Sequence, residues 1–238
     1  MNTELIQHMG TDLTVVNAAR VSFDKESSWC HQGGEPDVDG VHGVEEQVLG
    51  DKDQKLLNYL AKHNHWTPFS HVMITMRETV PIFVARQRFK HMVGFTYNEV
   101  SRRYVDDEPE FYSPEAWRKA AENKKQGSSE ETIEYCGPDG KTGLRIDLLY
   151  KAQIGACKAM YKSFLEAGVA PEQARMVLPQ SMYTSYYATG SLSAWARAYK
   201  LRSDPHSQME IQELAKQWHQ IIETIEELKY SWKALTNG

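Results

Sequence analysis

Apolar residues recur along this chain at spacings of about two and about 3.6 residues, which lays out a mixture of strands and helices. Residues 12–23, DLTVVNAARVSF, read as a short helix running into a turn. In residues 54–62, Leu56, Leu57 and Leu60 sit at helical spacing, and the helix should end at His63, Asn64 and His65. Val72, Ile74 and Met76 then alternate in VMITMRETV, the pattern of a half-buried strand. Pro81 suits the first position of a helix through residue 92, which would bury Ile82, Phe83, Phe89 and Val93 and turn Gln87, Lys90 and His91 the other way. Ser113 and Pro114 carry the cap-and-proline signature of a further helix, PEAWRKAAENKK.

Farther on, Leu144, Leu148, Leu149, Ala152 and Ala156 form an apolar stripe in a long helix over 142–167, stopped by Gly168 and suited to a core or a subunit interface. A short helix closed by proline covers 171–179, and residues 181–189, SMYTSYYAT, favour a strand. Ser191 is placed to cap the helix LSAWARAYKLR. Asp204 and Pro205 should open the last long helix, with Ile211, Leu214, Trp218, Ile221, Ile222 and Ile225 on its core face. Residues 27–51 and 126–141 are polar and glycine-rich without periodicity, so they read as loop insertions in a single domain spanning residues 1–238.

Composition narrows the class. With 41% hydrophobic and 25% charged residues over 238 positions, the chain is long enough for a real core. A net charge of −5 argues against broad nucleic-acid binding, and basic residues that cluster locally in an acidic chain suggest a pocket. Cys30, Cys136 and Cys157 show no CxxC pairing, which suggests a reducing compartment. No apolar run approaches a membrane span and no signal pattern follows Met1, so a cytoplasmic protein is expected. His63, His65 and His71 have no carboxylate or cysteine at ligand spacing, so no metal is expected.

The chemistry concentrates in ARQRFKHMVGFTYNEVSRRY, residues 85–104. Arg86, Arg88, Lys90 and His91 precede a glycine turn, and Asn98, Glu99, Ser101, Arg102 and Arg103 follow it. Guanidinium forks, an ammonium and a hydroxyl are what a phosphate monoester needs. Glu99 does not suit a pure anion pocket, but a carboxylate can accept from a ribose hydroxyl or a base N–H. The combination points to a nucleotide.

This stretch resembles the signature of the flavin-dependent thymidylate synthases, in which Arg-His-Arg is followed after seven residues by Ser and the end reads Asn-Glu-x-Ser-x-Arg-Tyr. Other segments in order are similar to the family as well: Ala19-Arg20-Val21-Ser22, Thr67-Pro68-Phe69-Ser70-His71, Gln173-Ala174-Arg175-Met176-Val177-Leu178-Pro179, and Leu201-Arg202-x-Asp204-x-His206-x-Gln208-x-Glu210. The resemblance implies an α+β fold with helices packed around a small, mostly antiparallel sheet, the thymidylate synthase-complementing protein fold. It implies methylation of dUMP with FAD as cofactor, 5,10-methylenetetrahydrofolate as carbon donor and NADPH as reductant, in a homotetramer with shared active sites.

Carried onto this chain, the resemblance assigns dUMP to Gln87, Arg88, Lys90, Glu99, Ser101, Arg102, Arg103, Arg175 and Arg202, with Arg202 as the catalytic cation. It assigns FAD to Ser22, His71, Met73, Lys90, His91, Met92, Glu99, Ser191, Ser193 and Arg197. The absence of a GxGxxG fingerprint means that neither FAD nor NADPH would rest on a Rossmann turn. No cysteine has the basic surroundings of a nucleophile.

The chain also departs from the pattern. Lys90-His91-Met92 stands for Arg-His-Arg, eight residues rather than seven separate Met92 from Ser101, and Ser191-Leu192-Ser193 stands where Asn-x-Arg is frequent. Two alternatives follow: a flavin- and folate-dependent dUMP hydroxymethylase, and a non-catalytic nucleotide-binding homologue.

Overall fold

The computed structural model describes residues 1–32, 46–105, 107–121 and 128–237. Its centre is an antiparallel four-stranded sheet ordered β1 (Asn2–Met9), β4 (Met73–Pro81), β8 (Tyr183–Ser191) and β5 (Phe95–Glu99). Two short hairpins lie outside it: β2 (Cys30–Gln32) with β3 (Glu46–Val48), and β6 (Trp117–Ala120) with β7 (Ser128–Ile133). The helices are α1 (Asp12–Arg20), α2 (Asp51–Lys62), α3 (Ile82–Arg88), α4 (Ile146–Glu166), α5 (Pro171–Ala174), α6 (Leu192–Arg202), α7 (Met209–Glu223) and α8 (Lys229–Thr236). The expected α+β architecture is what forms.

Alternation runs through β4 and the residue before it: Val72, Ile74, Met76, Glu78 and Val80 are all buried on one face. Helices α1, α2, α3, α6, α7 and α8 cover that face, where Trp195, Trp218 and Trp232 are fully buried with Leu214 and Leu57. Truncating one such indole typically costs about 3–5 kcal/mol. The two central strands are paired in full register, Met73 opposite Ser191 through Pro81 opposite Tyr183, and each runs directly into a helix. Thus β4 feeds α3 and β8 feeds α6 from opposite ends of the sheet. Ser191 caps α6 as expected, its Oγ accepting from the Ala194 N–H at 3.3 Å. At the far end of the core, Asp12 accepts from the backbone N–H groups of Tyr230 and Ser231, which satisfies orphan donors at the start of α8.

Several expectations are corrected. Residues 117–120 form strand β6, not a helix opened by Ser113 and Pro114: Trp117 pairs with Ile133 and packs edge-on against Tyr150, so tertiary pairing overrides the local cap signal. Part of the polar stretch 126–141 is β7, and the stretch 27–51 holds β2 and β3 on either side of residues outside the description. Helix α3 stops at Arg88, with Pro81 as its cap, and Val93 is exposed instead of buried. Helix α7 begins at Met209 because Asp204 closes a separate turn, its carboxylate accepting from the His206 N–H. Arg202 therefore sits at the C-terminus of α6, and α8 follows α7.

Helix α4 packs little within the chain. Tyr161 is its one buried residue, and Leu148, Leu149, Met160 and Phe164 are exposed. Its stripe is not part of this chain's core. Among the described residues no helix is long and apolar enough to cross a membrane.

Candidate functional site

The predicted residues fall into three places. The first is where the C-terminal ends of α3 and α6 meet. Arg202 Nε donates to His91 Nε2 at 2.8 Å, and Arg202 Nη2 donates to the Gln87 carbonyl at 3.3 Å. A cation at the last carbonyls of α3 is favourably placed in that helix's field. His91 is buried and its pKa is lowered to about 4, by burial first and then by the positive charges of Arg202, Arg88 and Arg197. Its ring is consequently neutral near pH 7, with Nε2 as acceptor and the proton on Nδ1. Burial, with the charge of Arg88, lowers the Arg202 pKa as well.

Gln87 is steadied from its other side. Its amide Nε2 donates to Gln208 Oε1, and Gln208 Nε2 donates to Glu210 Oε2 at 2.7 Å. Arg118, on β6, pairs with Glu210 Oε1 at 2.6 Å. The sequence motif contains Gln208 and Glu210 without revealing that they brace Gln87, and nothing in the sequence marks Arg118 as their partner.

The second place is a cavity of about 930 Å³ at the far end of β5. It brings together Glu99, Ser101, Arg102 and Arg175, and adds Arg77, Thr79 and Ser185, which sequence reasoning missed. Glu99 is held by a hydrogen bond from the Thr184 hydroxyl at 2.7 Å. Arg175 and Arg102 make local contacts, with the Glu172 carbonyl at 3.3 Å and the Asp107 carbonyl, whereas Arg77 donates across the sheet to the Ser185 hydroxyl at 3.1 Å. Arg103 lies outside the cavity lining and is exposed beside Tyr104.

The third is a more apolar cavity of about 1110 Å³ at the opposite end of β5. Trp66, Met73, Phe95, Ala194 and Ala196 line it, with Ser70, Ser191 and Ser193 as hydroxyls and Arg197 and Lys200 as cations. Ser193 Oγ lies 2.7 Å from Ser70 Oγ and 3.1 Å from Ser191 Oγ, a hydroxyl chain where the family pattern has Asn-x-Arg. Gly94, at φ +79°, closes one wall, where an added Cβ would meet the Ala194 Cβ at 2.9 Å. Apolar walls, a few hydroxyls and peripheral cations fit a flat aromatic ligand that carries phosphates, as FAD does.

Four predicted flavin contacts, Ser22, His71, Met92 and Lys90, are exposed and line neither cavity. Arg88 is the clear correction. It is fully buried in the core, where Nε lies 3.1 Å from Glu78 Oε1, so its guanidinium is not presented to a nucleotide. Glu78 occupies a core position of β4, and a charge at such a position requires a buried counter-ion, a signal readable from the alternation. Cysteines line neither large cavity. Among the described residues, no group of three or more His, Cys, Asp or Glu side chains is placed to hold a metal ion.

Comparison with known proteins identifies the family. The family model described as thymidylate synthase complementing protein matches residues 4–226. A flavin-dependent thymidylate synthase of Thermosipho africanus is 37% identical over 211 residues, covering 89% of this chain and 81% of that protein. One from Thermus thermophilus is 36% identical over 230 residues, covering 97% and 73%. The crystal structure of a UMP/dUMP methylase, PolB from Streptomyces cacaoi, bound with 5-Br UMP, superposes with a TM-score of 0.73 at 26% identity over 99% of this chain and 93% of that one. The chain therefore belongs to the thymidylate synthase complementing proteins, the family of the flavin-dependent thymidylate synthases.

Proposed function

We propose that this enzyme methylates dUMP to dTMP with FAD as cofactor, 5,10-methylenetetrahydrofolate as carbon donor and NADPH as reductant. The observation that carries the reading is Arg202, a partly buried cation aimed by a neutral histidine, with no carboxylate pairing with it among the described residues. Placed at the pyrimidine edge, that charge would stabilise negative charge on N3 and its flanking carbonyls, which makes C5 a better nucleophile. Reduced flavin, when bound, supplies the electrons that bring the transferred carbon to the methyl level. Met73, Ser191, Ser193 and Arg197 would hold that cofactor, and the apolar wall of Trp66 and Phe95 would keep water from it.

Phosphate and ribose fall to Glu99, Ser101, Arg102 and Arg175, with Arg103 at the margin, through charge-assisted hydrogen bonds. These residues and Arg202 belong to separate places on one chain, which supports sites completed between copies in a homotetramer. The exposed apolar stripe of α4 supports the same assembly.

The test is the mass of the nucleotide formed from dUMP, methylenetetrahydrofolate and NADPH by FAD-loaded protein. A product heavier by one methyl group is expected. A hydroxymethyl product would replace the reading with the hydroxymethylase, and unchanged dUMP from folded, flavin-loaded protein would overturn it.

A further inference from the structure

Arg88 and Glu78 are both fully buried, and the pair is more elaborate than a fold needs. Arg88 Nε faces both Glu78 oxygens, at 3.1 and 3.2 Å, and the Tyr186 hydroxyl donates to Glu78 Oε2 at 2.5 Å. The guanidinium carbon lies 4.3 Å from the ring centre of Phe95, 4.7 Å from those of Trp195 and Trp218, and 5.1 Å from that of Tyr97. Nη2 is buried without a hydrogen-bond partner among the described residues. Replacing a buried ion pair by apolar side chains of like volume is frequently neutral or stabilising, so stability alone does not account for this one.

Its remaining arm leads to the site. Arg88 Nη1 donates to the Tyr97 hydroxyl at 2.6 Å, and that hydroxyl donates to the His91 carbonyl at 2.7 Å. His91 in turn accepts from Arg202 Nε at 2.8 Å. Each link is a single short hydrogen bond between side chains or backbone groups held by packing.

We propose that Arg88, locked by Glu78 within its aromatic cage, is a positioning residue that acts through the Tyr97 hydroxyl to hold the His91 ring against Arg202 and so aim that guanidinium at the substrate. The Arg88 charge has a second effect. The charged groups that face His91 are Arg88 from α3 and Arg202 and Arg197 from α6, with the Tyr97 hydroxyl from β5, and all three cations oppose protonation of the ring. Releasing His91 from this setting frees Nε2 to take a proton, and a protonated ring no longer accepts from Arg202.

The proposal rests on the reading of Arg202 as the residue that acts on the nucleotide, and its test separates the two. In the FAD-loaded enzyme, Tyr97→Phe removes the linking hydroxyl and keeps the ring. The expected result is a fall in kcat of about tenfold with KM for dUMP within about twofold, because Arg202 is misaimed while the phosphate grip is untouched. The imidazole titration of His91, followed by nuclear magnetic resonance and assigned by its loss in His91→Gln, should move upward from about 4 toward the ordinary histidine range. Glu78→Leu/Arg88→Met, which keeps the core apolar and filled, should show the same two changes without a lower melting temperature, and it decides the matter if Tyr97→Phe does not fold. Folded variants with unchanged kcat and unchanged His91 titration would overturn the proposal, whatever happens to melting temperature. If the wild-type protein does not convert dUMP, the reading of Arg202 fails, and the His91 titration in the same variants still decides whether Arg88 and Tyr97 hold the ring.

Discussion

The two ends of the stretch from Ala85 to Tyr104 carry similar residues and build opposite kinds of site. At the α3 end, Arg88 and His91 are buried, and His91 meets Arg202 in fixed geometry. At the β5 end, Arg103 is exposed beside its own neighbour Tyr104, and Arg102 and Arg175 reach carbonyls five and three residues away in their own segments. One end is organised before any ligand arrives, and the other has donors still to be spent on an anion. Preorganisation favours interactions that strengthen in the transition state, whereas adaptable surface cations contribute mainly to substrate affinity.

Substitutions should therefore separate along this line. Arg202→Ala should lower kcat by about a thousandfold with flavin content unchanged, since Arg202 is not in the lining of the apolar cavity. Steady-state kinetics and the flavin absorbance of the purified protein check both halves of that statement. The second effect is on stability. An unfolded histidine titrates near 6.5 and folded His91 near 4, so between those values the unfolded chain binds more protons and stability rises with pH. The His91 contribution, on the order of 3 kcal/mol, should be complete above about pH 6.5 and lost as pH falls through 4. Denaturant melts of wild type and His91→Gln, taken across this range, should differ by that curve.

Next in size, Ser101→Ala/Arg175→Ala should raise KM for dUMP by about a hundredfold with kcat changed far less, because both substitutions act on the grip of the substrate. The smallest effect is expected for Arg103→Ala, a rise in KM of about twofold, because Arg103 lies outside the cavity lining and is exposed. A larger loss in kcat than in KM for either protein would erase the distinction between the two ends.

Much of the architecture was legible because it obeys local rules. The alternation in β4, the Ser191 cap and the stripe of α7 depend on neighbours in sequence, and each forms as the pattern predicts. What was not legible depends on partners far away. Arg118 is drawn to Glu210, 92 residues on, and that contact with the Trp117 packing makes a strand of a segment that carries a helix signal. Arg88 sits among charges that suggest a surface site, and only its pairing with Glu78 and the indoles of α6 and α7 reveals it as core. The candidate site residues could be picked out by type, but their division among three places is a property of the fold: β5 has one group at each end, and the ends of α3 and α6 hold Arg202 with His91 and Gln87.

That division yields the most direct test. Arg202→Ala protein and Ser101→Ala/Arg175→Ala protein are co-expressed with different tags, the mixed assemblies are isolated, and dTMP formation is measured at low dUMP, where each parent is nearly inactive. Sites completed between copies predict that the mixed assemblies recover turnover, because some sites then draw Arg202 from one chain and Ser101 with Arg175 from another. Mixed assemblies no more active than their parents would contradict the account and place the whole site within a single chain.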